Sequence, residues 1–238
     1  MHKIEASIIL DEESPLLTTD PNNGIIEVDS RNELAVYILT CSKSLSSISS
    51  SMDKARLSIK LLETGHLDSI ATEDHSKSDY IEMLIENSII RVQSIYDRIL
   101  IFTNRLLDLG ISNESINHNL IVTNSNVIKY DLDSKLKSIN KACNDYRFIR
   151  NTVIHHDRYT EEQLNNLRLT LTADYLSKKT TGKQIVPPET LKTITQAYLD
   201  AKKEEFGTYL DTIESKLYEL YDTALPIYHH YKSRLRAK

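Results

Sequence analysis

Glycine and proline are scarce in this chain of 238 residues, which holds only five of each. A turn-rich β fold needs such residues at short intervals, so the deficit argues against one. It favours long helices built from the abundant Leu, Ile, Lys, Glu and Ser. Cysteine is scarcer still. Cys41 and Cys143 fall in helix-like stretches without a Cys-x-x-Cys partner, and read as buried free thiols in a reducing compartment. No apolar run approaches a membrane span, and Ile8-Ile9-Leu10 stops at Asp11-Glu12-Glu13, too short for a signal peptide. The expectation is a soluble cytoplasmic protein with no membrane partner. Excess positive charge is also lacking. At a net charge of −5 the chain is not a globally basic nucleic-acid binder, so any RNA contact must come from a local patch. A phosphate-cradling Gly-rich loop, a Ser-centred elbow and a paired-carboxylate motif are all missing, which argues against a kinase, a hydrolase or a dehydrogenase of those types.

What is present is helical periodicity. Leu34, Ile38, Cys41, Leu45, Ile48, Met52, Ala55, Ile59 and Leu62 recur at alternating steps of four and three, a seam sustained through a Ser-rich stretch. Gly65 and His66 are expected to end it, with a polar connector over 68–78. Ile81, Ile85, Ser88, Val92, Ile95, Ile99, Phe102, Leu106 and Leu109 form a second stripe, widened by Ile89, Tyr96, Leu100 and Leu107, which suits a helix packed on two sides. Gly110 closes it. A short helix over 114–122 and a loop precede a helix expected to run unbroken from Asp131 to His156. Thr160-Glu161-Glu162-Gln163 reads as a capping box opening a further helix. A last long helix covers 189–236, where Pro226 should kink or break it. Residues 1–30 differ: Ile8-Ile9-Leu10 and Ile25-Ile26-Glu27-Val28 flank Pro15, Pro21 and Asn22-Asn23-Gly24, which predicts a short strand pair or an extended arm. The fold class is therefore all-α, an up-and-down bundle of long antiparallel helices over 31–238 behind an N-terminal arm over 1–30.

Within the motif helix lies Arg147-Phe148-Ile149-Arg150-Asn151-Thr152-Val153-Ile154-His155-His156-Asp157. It places Arg150, Asn151 and His155 in the pattern Arg-Asn-x-x-x-His. Arginine and histidine are the side chains needed to cut RNA without a metal. The guanidinium is a fixed cation able to stabilise a phosphorane. The imidazole moves protons in either direction near neutral pH. RNA itself supplies the nucleophile, its 2′-hydroxyl. With eleven Arg and eight His in the chain, this full pattern is expected by chance about two or three times in a hundred such sequences. On a regular helix Asn140, Asn144, Arg147, Asn151 and His155 share a polar stripe, whereas Arg150 falls beside Tyr146 and Ile154 at the apolar edge. There it requires a carboxylate, a phosphate or a subunit boundary. Lys141, Arg147, Arg150 and Arg158 make the region mildly basic against Asp145 and Asp157.

The string from Arg150 to His155, late in an all-helical chain, resembles the signature of the HEPN superfamily, compact helical domains that include many ribonucleases of bacterial defence and toxin–antitoxin systems. The resemblance implies that Arg150, Asn151 and His155 are catalytic, working across a homodimer that pairs two copies of the motif, with RNA as substrate and an antitoxin or regulatory protein as a further partner. His156 also satisfies the spacing, so either imidazole fits. Arg147 is a supporting residue, and Lys141 and Arg158 are candidate RNA contacts. The other class that suits the same residues is a non-catalytic dimerisation or nucleotide-binding module, since some members of the superfamily cut nothing.

No metal or cofactor is expected. His155-His156 and His229-His230 are adjacent pairs whose rings point about 100° apart on a helix, and neither has an i, i+4 ligand. The tail residues Lys232, Arg234, Arg236 and Lys238 read as a solvated helix end or as a backbone contact to RNA. Tyr218, Tyr221, Tyr228 and Tyr231 have the spacing of packing residues.

Overall fold

A computed structural model describes residues 2–18, 29–72, 75–155 and 158–237. Every regular element among them is helical. In chain order these are α1 (Lys3–Ile9), α2 (Pro15–Thr18), α3 (Glu33–Lys60), α4 (Thr64–Ile70), α5 (Lys77–Leu106), α6 (His118–Val122), α7 (Ser125–Lys129), α8 (Leu132–Cys143), α9 (Arg147–His155), α10 (Glu162–Thr181) and α11 (Pro188–Arg236). The chain divides into two compact units that share α3, α5 and α11. One comprises Met1–Met52, Gln93–Asp145 and Thr212–Lys238; the other comprises Asp53–Val92 and Tyr146–Asp211.

In the first unit α3 and α5 run antiparallel. The Tyr37 hydroxyl donates to the Leu106 carbonyl (2.9 Å), and Arg98 Nε donates to Ser51 Oγ (2.6 Å), so contacts climb one helix while descending the other. Tyr37 also stacks on Tyr228 of α11, with ring centroids 5.6 Å apart. The core here holds Ile38, Cys41, Leu45, Ile48, Ile95, Ile99 and Phe102 from the two seams, with Leu220 and Ala224 of α11. The Ser-rich stretch remains helical because its buried hydroxyls are satisfied. Ser44 Oγ donates back to Thr40 O (2.8 Å), and Ser42 Oγ donates to Ile8 O (2.7 Å). Helices α6, α7 and α8 pack on one another in the same unit. Both cysteines are buried, and neither forms a disulfide.

The N-terminal strand pair is not formed among the described residues. Residues 3–9 are helix, and the reason is legible afterwards. His2 and Glu5 close a capping box, and Ile4 and Ile8 sit four apart on one buried face. Burying each of those side chains is worth about 1.5–3 kcal/mol, enough to outweigh the β preference of the run Ile8-Ile9-Leu10. Ile25–Val28 lies outside the described residues. Asp11 and Glu13 then engage the end of α11. Lys232 Nζ reaches Asp11 and Glu13 (2.7 Å each), the Tyr228 hydroxyl donates to Asp11 Oδ2 (2.8 Å), and Arg236 pairs with Glu13. Lys232 and Arg236 of the basic tail are thus held in an internal ion-pair network, and Arg234 lies over the Tyr231 ring (4.9 Å).

In the second unit α3 and α11 are antiparallel. Arg56 pairs with Asp211 (2.8 Å), Glu63 with Lys203 (3.7 Å), and Thr64 Oγ1 donates to Gln196 Oε1 (2.6 Å). Asn87 of α5 donates to Ser58 of α3 (2.6 Å). The core holds Ile59, Leu62, Leu67, Ile81, Ile85, Ile89, Leu164, Leu199 and Phe206. Gly65 does not stop a helix but lies within α4, and α5 begins at Lys77, so the polar connector is shorter than the composition suggests. The short helix expected over 114–122 is present as α6, capped by Asn117, and the loop expected after it instead holds α7, capped by Asn124. The Thr160 capping box does not form. Glu161 is the N-cap of α10 and makes no side-chain cap bond, and the helix continues to Thr181 before Gly182, in the left-handed region at φ 70°, ends it. Pro226 does not break α11. It is exposed, as is Asp222, whose carbonyl would otherwise accept its missing N–H, so water can replace that bond.

The largest correction concerns the motif helix. It is not continuous from 131 to 156 but is broken at residues 144–146 into α8 and α9. The Gln93 side-chain amide donates to the Cys143 carbonyl, the group an unbroken helix would offer to the Arg147 N–H, and Asn144 is the C-cap of α8. The break coincides with the boundary between the units, so Asn140 and Asn144 do not extend the polar stripe of α9.

Candidate active site

Helix α9 is short, and none of its described side chains is buried. Such a helix does not hold itself in place by packing, and nine residues are too few to be stable alone. Instead it is fastened at both ends. At its entrance the Tyr146 ring stacks on Phe206 (centroids 5.2 Å apart) and meets Tyr209 (4.8 Å), and its hydroxyl donates to Glu205 Oε1 (2.5 Å). Beyond its exit, Tyr159 is buried. Its N–H donates to Glu86 Oε1 (2.7 Å) and its hydroxyl donates to Glu161 Oε2 (3.0 Å).

Lys202 ties the two ends together. It is a lysine only 5% exposed, between Leu199 and Phe206 on the buried face of α11. Its ammonium reaches Glu161 Oε1 (2.7 Å) and Glu205 Oε2 (2.6 Å). Tyr198 adds a further hydroxyl bond to Glu161 Oε2 (2.9 Å). The chain of contacts therefore runs Tyr146–Glu205–Lys202–Glu161–Tyr159, bracketing α9. Burial alone would push the Lys202 ammonium down, but the bonds from Glu161 and Glu205 outweigh it and hold the group above the ordinary lysine value. Burial raises Tyr159 and Tyr198, with the Glu161 charge adding to it, so both stay protonated and act as donors.

On α9 itself Arg150 and Asn151 are joined. Arg150 Nη1 donates to Asn151 Oδ1 (3.0 Å), so the amide orients the guanidinium. Arg150 is half-buried. Its Nε is buried without a hydrogen-bond partner, and among the described residues no carboxylate pairs with it. The structural ion pair that would have explained an arginine at this edge is thus absent among them. His155 occupies the last position of α9, one turn from Asn151. Its side chain, together with His156 and Asp157, lies outside the described residues. Arg147 and Arg158 are exposed in this unit, and Lys141 is exposed in the other. Among the described residues no group of three or more His, Cys, Asp or Glu could hold a metal ion, and no helix is long and apolar enough to cross a membrane.

A family model described as Cthe2314-like HEPN matches residues 37–225, most of the chain. This chain belongs to the HEPN superfamily. The matched span contains Arg150, Asn151, His155 and His156 together with the whole network that holds α9. No curated protein and no solved structure matches the chain.

The sequence points to Arg150, Asn151 and His155 but not to the apparatus around them. Glu86, Glu161, Tyr198, Lys202 and Glu205 carry no motif. One signal was available: Tyr198, Lys202, Glu205 and Tyr209 recur at steps of four and three, the spacing of a single helix face, and Leu199 and Phe206 flank it. A lysine inside a buried stripe demands carboxylate partners.

Proposed function

We propose that the protein is a metal-independent endoribonuclease of a bacterial defence or toxin–antitoxin type system, acting as a homodimer in which two copies of α9 meet. The observation that carries this reading is the half-buried Arg150, fixed by Asn151 and lacking a carboxylate partner among the described residues. Burying a cation without an anion is costly, and a purely structural arginine would have been given one. A phosphate group supplies the missing acceptor. In the proposed reaction the 2′-oxygen attacks the adjacent phosphorus, a base takes the hydroxyl proton, and the bond to the 5′-oxygen breaks as an acid returns a proton to it. The products are a 2′,3′-cyclic phosphate and a free 5′-hydroxyl. Arg150 stabilises the phosphorane, and His155 serves as base or acid, with His156 and Arg147 as supporting residues. Arg158 and Lys141 serve as backbone contacts. A two-fold pairing brings the second imidazole that a single motif lacks. Ile154, 42% exposed next to Arg150's stripe, leaves apolar surface on α9 for such a pairing.

The test is purified protein with a mixed RNA pool in EDTA, comparing wild type with His155→Ala. Cleavage that survives EDTA, leaves cyclic phosphate ends and disappears in the variant is the expected result. A requirement for Mg²⁺, or 3′-hydroxyl products, overturns the proposed use of the 2′-hydroxyl. Intact RNA throughout would favour the non-catalytic module.

A further inference from the structure

The chain has three phenylalanines, and two of them, Phe102 and Phe206, are 0% exposed in the cores of their units. The third, Phe148, is 83% exposed, more than any of the other large apolar side chains left at the surface. It stands on α9, between Arg147 and the motif. At about 100° per residue, positions 148, 151, 152 and 155 share one face of the helix, whereas Arg150 lies about 160° away from 148. The ring therefore stands on the same side as Asn151 and residue 155. Helix α9 carries two arginines and a histidine and no carboxylate. An exposed aromatic ring on a helix that carries two arginines and no carboxylate suits single-stranded nucleic acid, whose bases can stack on the ring and whose phosphates can meet the cations.

We infer that Phe148 is a stacking platform that holds one unpaired base of a single-stranded RNA beside the motif, an inference resting on the ribonuclease reading above. Residue 148 precedes 155 by seven positions, about 10 Å along the helix axis. The base on Phe148 thus belongs to a neighbour of the nucleotide being cut. Double-stranded RNA keeps its bases stacked and paired, so a platform of this kind selects loops, bulges and single strands. It places no demand on base identity, because every base has a π-face. Arg147, exposed one position earlier, is suited to the phosphate of the stacked nucleotide. The competing occupant is the second α9 of a dimer. The charge pattern favours RNA, since the face holding Phe148 offers no acid to meet a partner's arginines.

Phe148→Trp gives a direct probe, because the chain contains no tryptophan. The variant, with the motif intact, is titrated with a single-stranded oligonucleotide carrying 2′-O-methyl groups, which removes the nucleophile and prevents cleavage. Saturable quenching of the single tryptophan is expected with this strand, and not with an abasic strand of equal length or with a duplex. Phe148→Ala is expected to weaken binding of the same strand by about five-fold or more, with Phe148→Tyr close to wild type. The proposal is overturned if Phe148→Ala binds equally well, or if the emission ignores the strand and follows protein dilution, which would make the ring a subunit contact. Cleavage of unmodified RNA by the wild type is measured in parallel. Cleavage without stacking refutes the platform alone, stacking without cleavage refutes the ribonuclease alone, and the absence of both refutes the two together.

Discussion

Replacing Lys202 by methionine tests whether the bracket around α9 controls it. The substitution keeps the length of the apolar stem and removes the charge, leaving Glu161 and Glu205 without their common cation. Breaking a fully buried ion pair costs about 3–5 kcal/mol. Here the Glu161 and Glu205 side chains are 23% and 39% exposed, so water can regain part of each carboxylate. The hydroxyls of Tyr146, Tyr159 and Tyr198 also remain as donors. The expected cost falls to about 2–3 kcal/mol. Because the network holds α9 at both ends and none of the helix's described side chains is fully buried, the loss should appear first as local opening.

Hydrogen exchange followed by mass spectrometry measures this directly. Two kcal/mol corresponds to exchange faster by about thirty-fold, expected over residues 146–160. Peptides from α6 and α7, in the other unit, serve as the unaffected reference. Adding Glu161→Gln to Lys202→Met removes one stranded charge and should restore part of the protection. If α9 exchanges at the wild-type rate in Lys202→Met while the fold is intact, the lysine does not hold the helix and the bracket is incidental. Cleavage, if the ribonuclease reading holds, should fall in step with the loss of protection.

Two other outcomes are expected. Acid should loosen the N-terminal segment. In Asp11 burial works to raise the carboxyl, yet the bonds from Lys232 and Tyr228 hold it below the ordinary value, and in Glu13 the bonds from Arg236 and then Lys232 bring it down to about 2. A depressed carboxyl stabilises above its unfolded value near 4 and loses that contribution as pH falls toward the folded value. The midpoint of thermal unfolding should therefore drop between about pH 4 and pH 2, with Glu13→Gln shallower over that window; an identical profile in the variant refutes the assignment. As for the two histidines, His155→Ala should abolish cleavage and His156→Ala should retain it, because position 155 is one turn from Asn151 within α9. Loss of activity in a well-folded His156→Ala alone would move the assignment by one residue.

The long seams were legible because hydrophobic periodicity reports helices directly. Leu34 through Ile59 and Ile81 through Leu106 lie in α3 and α5, with the second-stripe residues there buried on the face the spacing selected. The break at 144–146 was not legible, since nothing in Asn144-Asp145-Tyr146 forbids a helix. It depends on Gln93, fifty residues away, taking the Cys143 carbonyl, and on Tyr146 leaving the helix line for Phe206 and Tyr209. The N-terminal arm failed for a related reason. Ile8-Ile9-Leu10 has strand propensity, but tertiary burial of Ile4 and Ile8 decides the outcome, and the ion pairs of Asp11 and Glu13 are with residues more than two hundred positions later. In the site, the motif could be read because adjacent residues spell it. The bracket could not, because its members are scattered from Glu86 to Glu205.

That division has a physical basis. A catalytic group needs open surface for a phosphate and a precise position, and a buried helix offers only the second. Helix α9 leaves none of its described side chains fully buried and takes its position from its ends, where Tyr146 and the buried Tyr159 share one lysine through two carboxylates. The stabilising contacts lie outside the face proposed to react, so substitutions in the bracket and in the motif should separate in experiment. Changes at Lys202 or Glu161 should move exchange rates and cleavage together, whereas His155→Ala should move cleavage alone. Equal effects of both kinds of change on exchange would mean that the motif residues are themselves part of what holds α9, and the site would then be structural first.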